Sequence, residues 1–150
     1  MKKLVTLSNL IKIGAAVFGL VAFFLMFANQ LYAEILGNRG YVEFGDALFG
    51  DNGSVITFIG YLLIGISSIG IIALFFIGID EKIKKFVSFG IAVLLILGAV
   101  FVFIVSSVVN GNVGADLYHA AAAPIIAGIF AIIAALAVVA SEFAPNKSLI

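Results

Sequence analysis

At 150 residues, 64% hydrophobic and only 11% charged, the chain cannot cover its apolar surface with polar groups as a water-soluble domain does. Its net charge is zero and it has no cysteine. The first leaves no global basic field for nucleic acid, and the second excludes disulfides, thiolate metal sites and thiol nucleophiles.

Four apolar runs follow in chain order, at 13–31, 55–79, 86–109 and 120–140. Each is roughly 19 to 25 residues, enough to cross ~30 Å of hydrocarbon as a helix. In lipid the backbone must satisfy its own hydrogen bonds, so each run is predicted helical despite the Ile and Val of the second and third. The expected fold class is therefore all-α integral membrane: one domain, residues 1–150, forming a four-transmembrane-helix bundle. Basic residues orient it. Lys2, Lys3, Lys12, Lys82, Lys84, Lys85 and Lys147 fall on one side and Arg39 alone on the other. Both termini and the turn 80–85 are expected to be cytoplasmic, with loops 33–54 and 110–118 outside a plasma or inner cell membrane.

The first run follows Met1-Lys2-Lys3. It is long for the apolar region of a signal peptide, and Leu31 suits the −3 position before Ala33 poorly, so retention is expected. Lys12 can extend its ammonium to the cytoplasmic interface. At the other end, Asn29-Gln30 and Glu34 stand where the helix leaves the hydrocarbon, and interfacial hydration is the simplest reading of them.

The loop that follows is punctuated by glycine, and Tyr41, Phe44 and Leu48 recur at helical spacing. A short amphipathic surface helix is expected there. Glu34, Glu43, Asp46 and Asp51 form an acidic outer surface. Such oxygen clusters suit hard cations, but their spacing matches no EF-hand loop. Asp51-Asn52-Gly53-Ser54 reads as a turn with Ser54 as N-cap of the second span.

Small residues mark the second and fourth spans. Gly60, Gly65, Ser67, Ser68 and Gly70 suggest a close-packed seam, or alternatively the lining of a path. Ala123, Ala127, Ala131 and Ala135 recur every four residues along one helical face. The third span is bulkier and is expected to be the most lipid-exposed, ending at Ser106-Ser107 before an Asn110-Gly111-Asn112 turn. Pro124 falls in or near the first turn of the fourth span, where proline is tolerated.

Chemistry-bearing motifs are sparse. There is no His-Glu-x-x-His and no Gly-x-Ser-x-Gly. Asp116 and His119 would share a face if helix already begins there. With Glu34 they are weak candidates for a divalent metal or a proton-transfer pair; no resident metal or cofactor is expected. No acidic, basic or His residue lies near the middle of a span, where ion-coupled transporters usually keep one. Claudin-type proteins share four spans with both ends inside, but their first-loop Trp and Cys are missing here. The expected function is a non-enzymatic structural or interaction subunit, in contact with lipid and with a homo-oligomer or another membrane protein. The alternatives are an oligomeric channel or small transporter lined at Ser67-Ser68, and an outward-facing enzyme using Asp116 and His119.

Overall fold

A computed structural model describes residues 7–35, 37–42, 44–51, 53–74, 80–114 and 118–143. Glu43, Asn52, Asp116, Lys2, Lys3 and Lys147, and the end of the second predicted span at 75–79, lie outside the described residues. In chain order the elements are α1 (Leu7–Phe24), β1 (Leu31–Ile35), β2 (Asn38–Val42), α2 (Phe44–Phe49), α3 (Val55–Ala73), α4 (Glu81–Phe103), α5 (Val105–Val113), β3 (His119–Ala120) and α6 (Ala122–Ser141). Four stretches are long and apolar enough to cross a membrane, and they fall in α1 with its 3-10 extension, α3, α4 and α6.

These four helices form a ring in which α1 packs on α3, α3 on α4, α4 on α6, and α6 back on α1. The buried core is mainly small or aliphatic. Ala15, Ala22, Ile64, Ile71, Leu95, Ala99, Ala127, Ala131 and Val138 all lie in it. The rest of each helix surface is apolar as well: Ile66, Ile69, Phe86, Val93 and Leu136 are exposed. An amphipathic helix in water would place polar residues there.

One end of the bundle carries a folded cap, which departs from the all-α expectation. Its centre is a three-stranded antiparallel sheet of order β2-β1-β3. Leu31-Tyr32-Ala33-Glu34-Ile35 alternates apolar with larger or polar residues, the two-residue period of a half-buried strand. Gly37, at φ 83°, supplies the left-handed position between β1 and β2. The first predicted span thus runs too far. The helix stops at Phe24, a 3-10 turn covers Leu25–Phe27, Ala28 is extended, and Leu31 belongs to the sheet.

Other boundaries also move. Glu81 to Lys85 are helical, so most of the 80–85 turn is the first turn and a half of α4. The third span breaks at Ile104, whose φ of −88° and ψ of 9° end α4, and α5 continues to Val113. Asn110-Gly111-Asn112 is therefore helix, not turn. Gly114, at φ 75°, then closes α5 with its N–H on the Asn110 carbonyl. The surface helix exists as α2 but is shorter than expected, since Tyr41 belongs to β2. It packs on α3: Leu48 is buried, and Phe49 meets Phe58 edge-to-face at 4.7 Å. The least buried span is the first, 33% buried against 39% for the third, which was expected to be the most exposed.

Helix starts follow local chemistry. The Ser54 side chain caps α3 by accepting from the Thr57 N–H. Pro124 sits in the first turn of α6, where no intrahelical donor is lost.

Candidate functional site: the hydrogen-bonded cap

The cap is held to the bundle through Gln30, which is fully buried. Its amide nitrogen donates to the carbonyls of Leu25 (2.9 Å), Met26 (3.1 Å) and Ala28 (2.9 Å), where the chain leaves α1; that of Leu25 also accepts from the Ala28 N–H. Its amide oxygen accepts from the Tyr61 hydroxyl of α3 at 2.6 Å. Its backbone N–H donates to Val42 of β2, and its carbonyl accepts from Ala121 at the start of α6. One residue thus joins α1, β2, α3 and α6. Hydration at an interface, the simple reading of Gln30, does not hold, because no face of it meets solvent. Tyr61, which the sequence suggests as an interfacial anchor like Tyr32, Tyr41 and Tyr118, is instead fully buried against Gln30.

Two further clamps order the cap. The Asn110 side chain behaves as a strand partner for Tyr118, accepting from its N–H at 2.8 Å and donating to its carbonyl at 2.9 Å. The Thr57 hydroxyl bonds both Ser54 and the Phe101 carbonyl, three residues before the break at Ile104. Between the sheet, α2 and α5 lies a cleft of about 240 Å³. Its floor includes Leu31, Val42 and Val109, and Asp46 and Asp51 also line it.

Among the described residues, the acidic side chains do not form one patch. Asp46 and Asp51 are exposed at the cleft, while Glu34 is exposed on the other face of the sheet, having opposite parity to Leu31. On Glu34's face the register aligns Tyr41, Tyr32 and His119 in a row across all three strands. Ring centroids are 6.1 Å apart for Tyr41 and Tyr32, and 5.4 Å for Tyr32 and His119. His119 is therefore a strand residue packed on tyrosine, and the helical Asp-x-x-His pairing does not form on its side. Among the described residues no three His, Cys, Asp or Glu side chains come together as a metal site.

The small residues of the spans face one another within the chain. A Cβ on Gly60 would lie 2.8 Å from the Gly98 carbonyl oxygen, and one on Gly98 would lie 2.7 Å from that of Gly60. Gly65 meets the Phe23 ring with similar closeness, and Gly70 makes only ordinary contact with Ile91. Ala123, Ala127, Ala131 and Ala135 are all buried. Ser68 packs against Gly19 and returns its hydroxyl to the Ile64 carbonyl at 2.8 Å. Ser67 is also buried, and its hydroxyl has no hydrogen-bond partner among the described residues. Gly98 was missed because it lies in a span dominated by bulky side chains.

At the opposite end from the cap, Lys12 of α1 pairs with Glu142 after α6 at 3.1 Å, each side chain 12% exposed. Beside them Lys85 lies 5.2 Å over the Phe143 ring. No known protein-family model matches the chain, and neither a curated protein nor a solved structure matches it.

Proposed function

We propose that this is a non-enzymatic, multi-pass membrane protein of the plasma or inner membrane that acts as a structural or interaction subunit, with its cap outward as the contact surface. The observation that carries the reading is Gln30. It fixes the loop segments into a rigid cap, and a pre-ordered surface binds at lower entropic cost than a mobile one. The small-residue seams support the same division of labour, because they are used up in packing the chain's own bundle and leave the cap as its polar surface.

Orientation is part of the proposal. Lys12, Lys82, Lys84 and Lys85 cluster at the end opposite the cap, which favours that end and both termini being cytoplasmic. An impermeant maleimide added to intact cells should label Asp51→Cys and spare Ile83→Cys; the reverse pattern overturns the orientation. The interaction reading is tested by extraction in a gentle detergent followed by measurement of the native mass. A higher-mass species containing this chain is expected, and a monomer alone overturns the reading. The transport alternative draws less support, since Ser67 and Ser68 are buried and Ser68 sits in the close contact between α1 and α3.

A further inference from the structure

We propose that β2 is a self-pairing edge, and that two copies of this chain join β2 to β2, antiparallel about Gly40, into one continuous six-stranded sheet. The inference rests on the interaction reading above and names the partner as a second copy.

Backbone accounting leads to it. The two-residue connection between Ile35 and Asn38 makes that closing pair a hydrogen-bonded one, so the odd residues of β1 face β2 and the even ones face β3. In β2 the residues bonded to β1 are then Asn38, Gly40 and Val42. The N–H and C=O groups of Arg39 and Tyr41 point to the open side, where no described strand lies. Proteins usually blunt such an edge with proline, charged side chains, a bulge or extreme shortness. β2 is as long as β1 and has no proline, and its one charged residue, Arg39, stands in register with Glu34 of β1. Tyr41 is 54% exposed, and a Cβ placed on Gly40 would meet nothing closer than the Ala33 carbonyl at 3.9 Å.

A two-fold axis through Gly40 makes this edge complementary to itself. Arg39 of each copy stands opposite Tyr41 of the other, so the open donors meet the open acceptors in four hydrogen bonds. Charge disfavours the alternative register: a parallel in-register pairing would set Arg39 directly beside Arg39, a like-charge pair that the antiparallel register avoids. Gly40 meets Gly40 as a non-hydrogen-bonded pair, the closer of the two antiparallel spacings at about 4.5 Å between Cα atoms.

The absence of native cysteine makes the test clean. Gly40→Cys should form a disulfide-linked dimer on mild oxidation of native membranes. Asn38→Cys should not, because its two copies would lie about 13 Å apart along the strands. The Gly40→Cys yield should exceed the Asn38→Cys yield by about tenfold or more, since a disulfide needs Cα atoms within ~7 Å. Tyr41→Pro added to Gly40→Cys removes an open-edge donor without touching the β1 ladder, and should abolish the dimer. Equal yields, or no Gly40→Cys dimer, overturn the proposal. If the gently extracted protein is still an oligomer in that case, only the edge pairing falls; if it is monomer alone, the interaction reading falls as well.

Discussion

The cap and the bundle are held together by different physics. In the cap one residue, Gln30, makes directional bonds to four segments, its side chain to the end of α1 and to α3 and its backbone to β2 and the start of α6, so loss of the side chain acts on α1 and α3 together. In the bundle cohesion comes from fit: Gly60 against Gly98, Gly65 against Phe23, Gly128 under Phe103. Fit is distributed over many positions, and each change is felt in proportion to the volume added. The contrast shows how a chain that is apolar on both its inside and its outside specifies one structure. Burial alone cannot tell its helix faces apart, so backbone approach and a few buried polar bonds must do so.

The largest expected effect breaks the directional half of that comparison. Gln30→Leu removes the amide donor serving three carbonyls and leaves the buried Tyr61 hydroxyl without its acceptor. At about 1–3 kcal/mol for an orphaned buried group, a loss of about 2–4 kcal/mol is expected. Thermal unfolding in detergent measures it, and Tyr61→Phe should cost less because it orphans only the Gln30 amide oxygen. A Gln30→Leu protein as stable as the native one would show that the cap is not latched through this residue.

The second prediction sharpens the fit half. Gly98→Ala forces a methyl against the Gly60 backbone and should destabilise by about 1–3 kcal/mol. Gly70→Ala adds the same methyl where Ile91 leaves room at 3.4 Å, and it gains the helix propensity of alanine, so it should be neutral or stabilising by up to about 1 kcal/mol. Equal losses at the two positions, measured in the same detergent, would refute the steric account of the α3–α4 contact.

The two regions also differ in how far the sequence discloses them. The four spans were legible because hydropathy is a property of composition over a window, and lipid leaves the backbone little alternative to helix. The alanine face of α6 and the cap at Ser54 were legible because each is a local pattern. The sheet was not. Its pairing is non-local, β3 is only two residues long, and Leu31 reads as the end of the preceding apolar run. The break at Ile104 falls within continuous apolar sequence without glycine or proline. The bonds of Gln30 were hidden for another reason: a single amide near a span end looks the same whether water or Tyr61 satisfies it.

A smaller effect is expected at the end opposite the cap. Glu142→Gln keeps the shape of the side chain but removes the charge facing Lys12. With both side chains mostly buried, the loss should lie between the exposed and the fully buried limits, at about 1–2 kcal/mol. Lys12→Met combined with Glu142→Gln should recover part of it, because no uncompensated charge remains. A double-mutant cycle showing no coupling would mean that the two groups are neighbours without being partners.

The smallest effect carries its information in its sign. Ser67 is buried at 2% exposure with no partner for its hydroxyl among the described residues, while the adjacent Ser68 bonds the Ile64 carbonyl. If Ser67 sits in a dry packing seam, Ser67→Ala removes an unmatched polar group and should be neutral or stabilising by up to about 1 kcal/mol. If its hydroxyl instead lines a hydrated path, alanine removes a satisfied group and the protein should lose stability. The melting temperature of this one variant therefore separates a helix seam from a channel lining, and it does so without an assay for a transported substrate. A measurable loss would move the reading of the bundle from packing to transport.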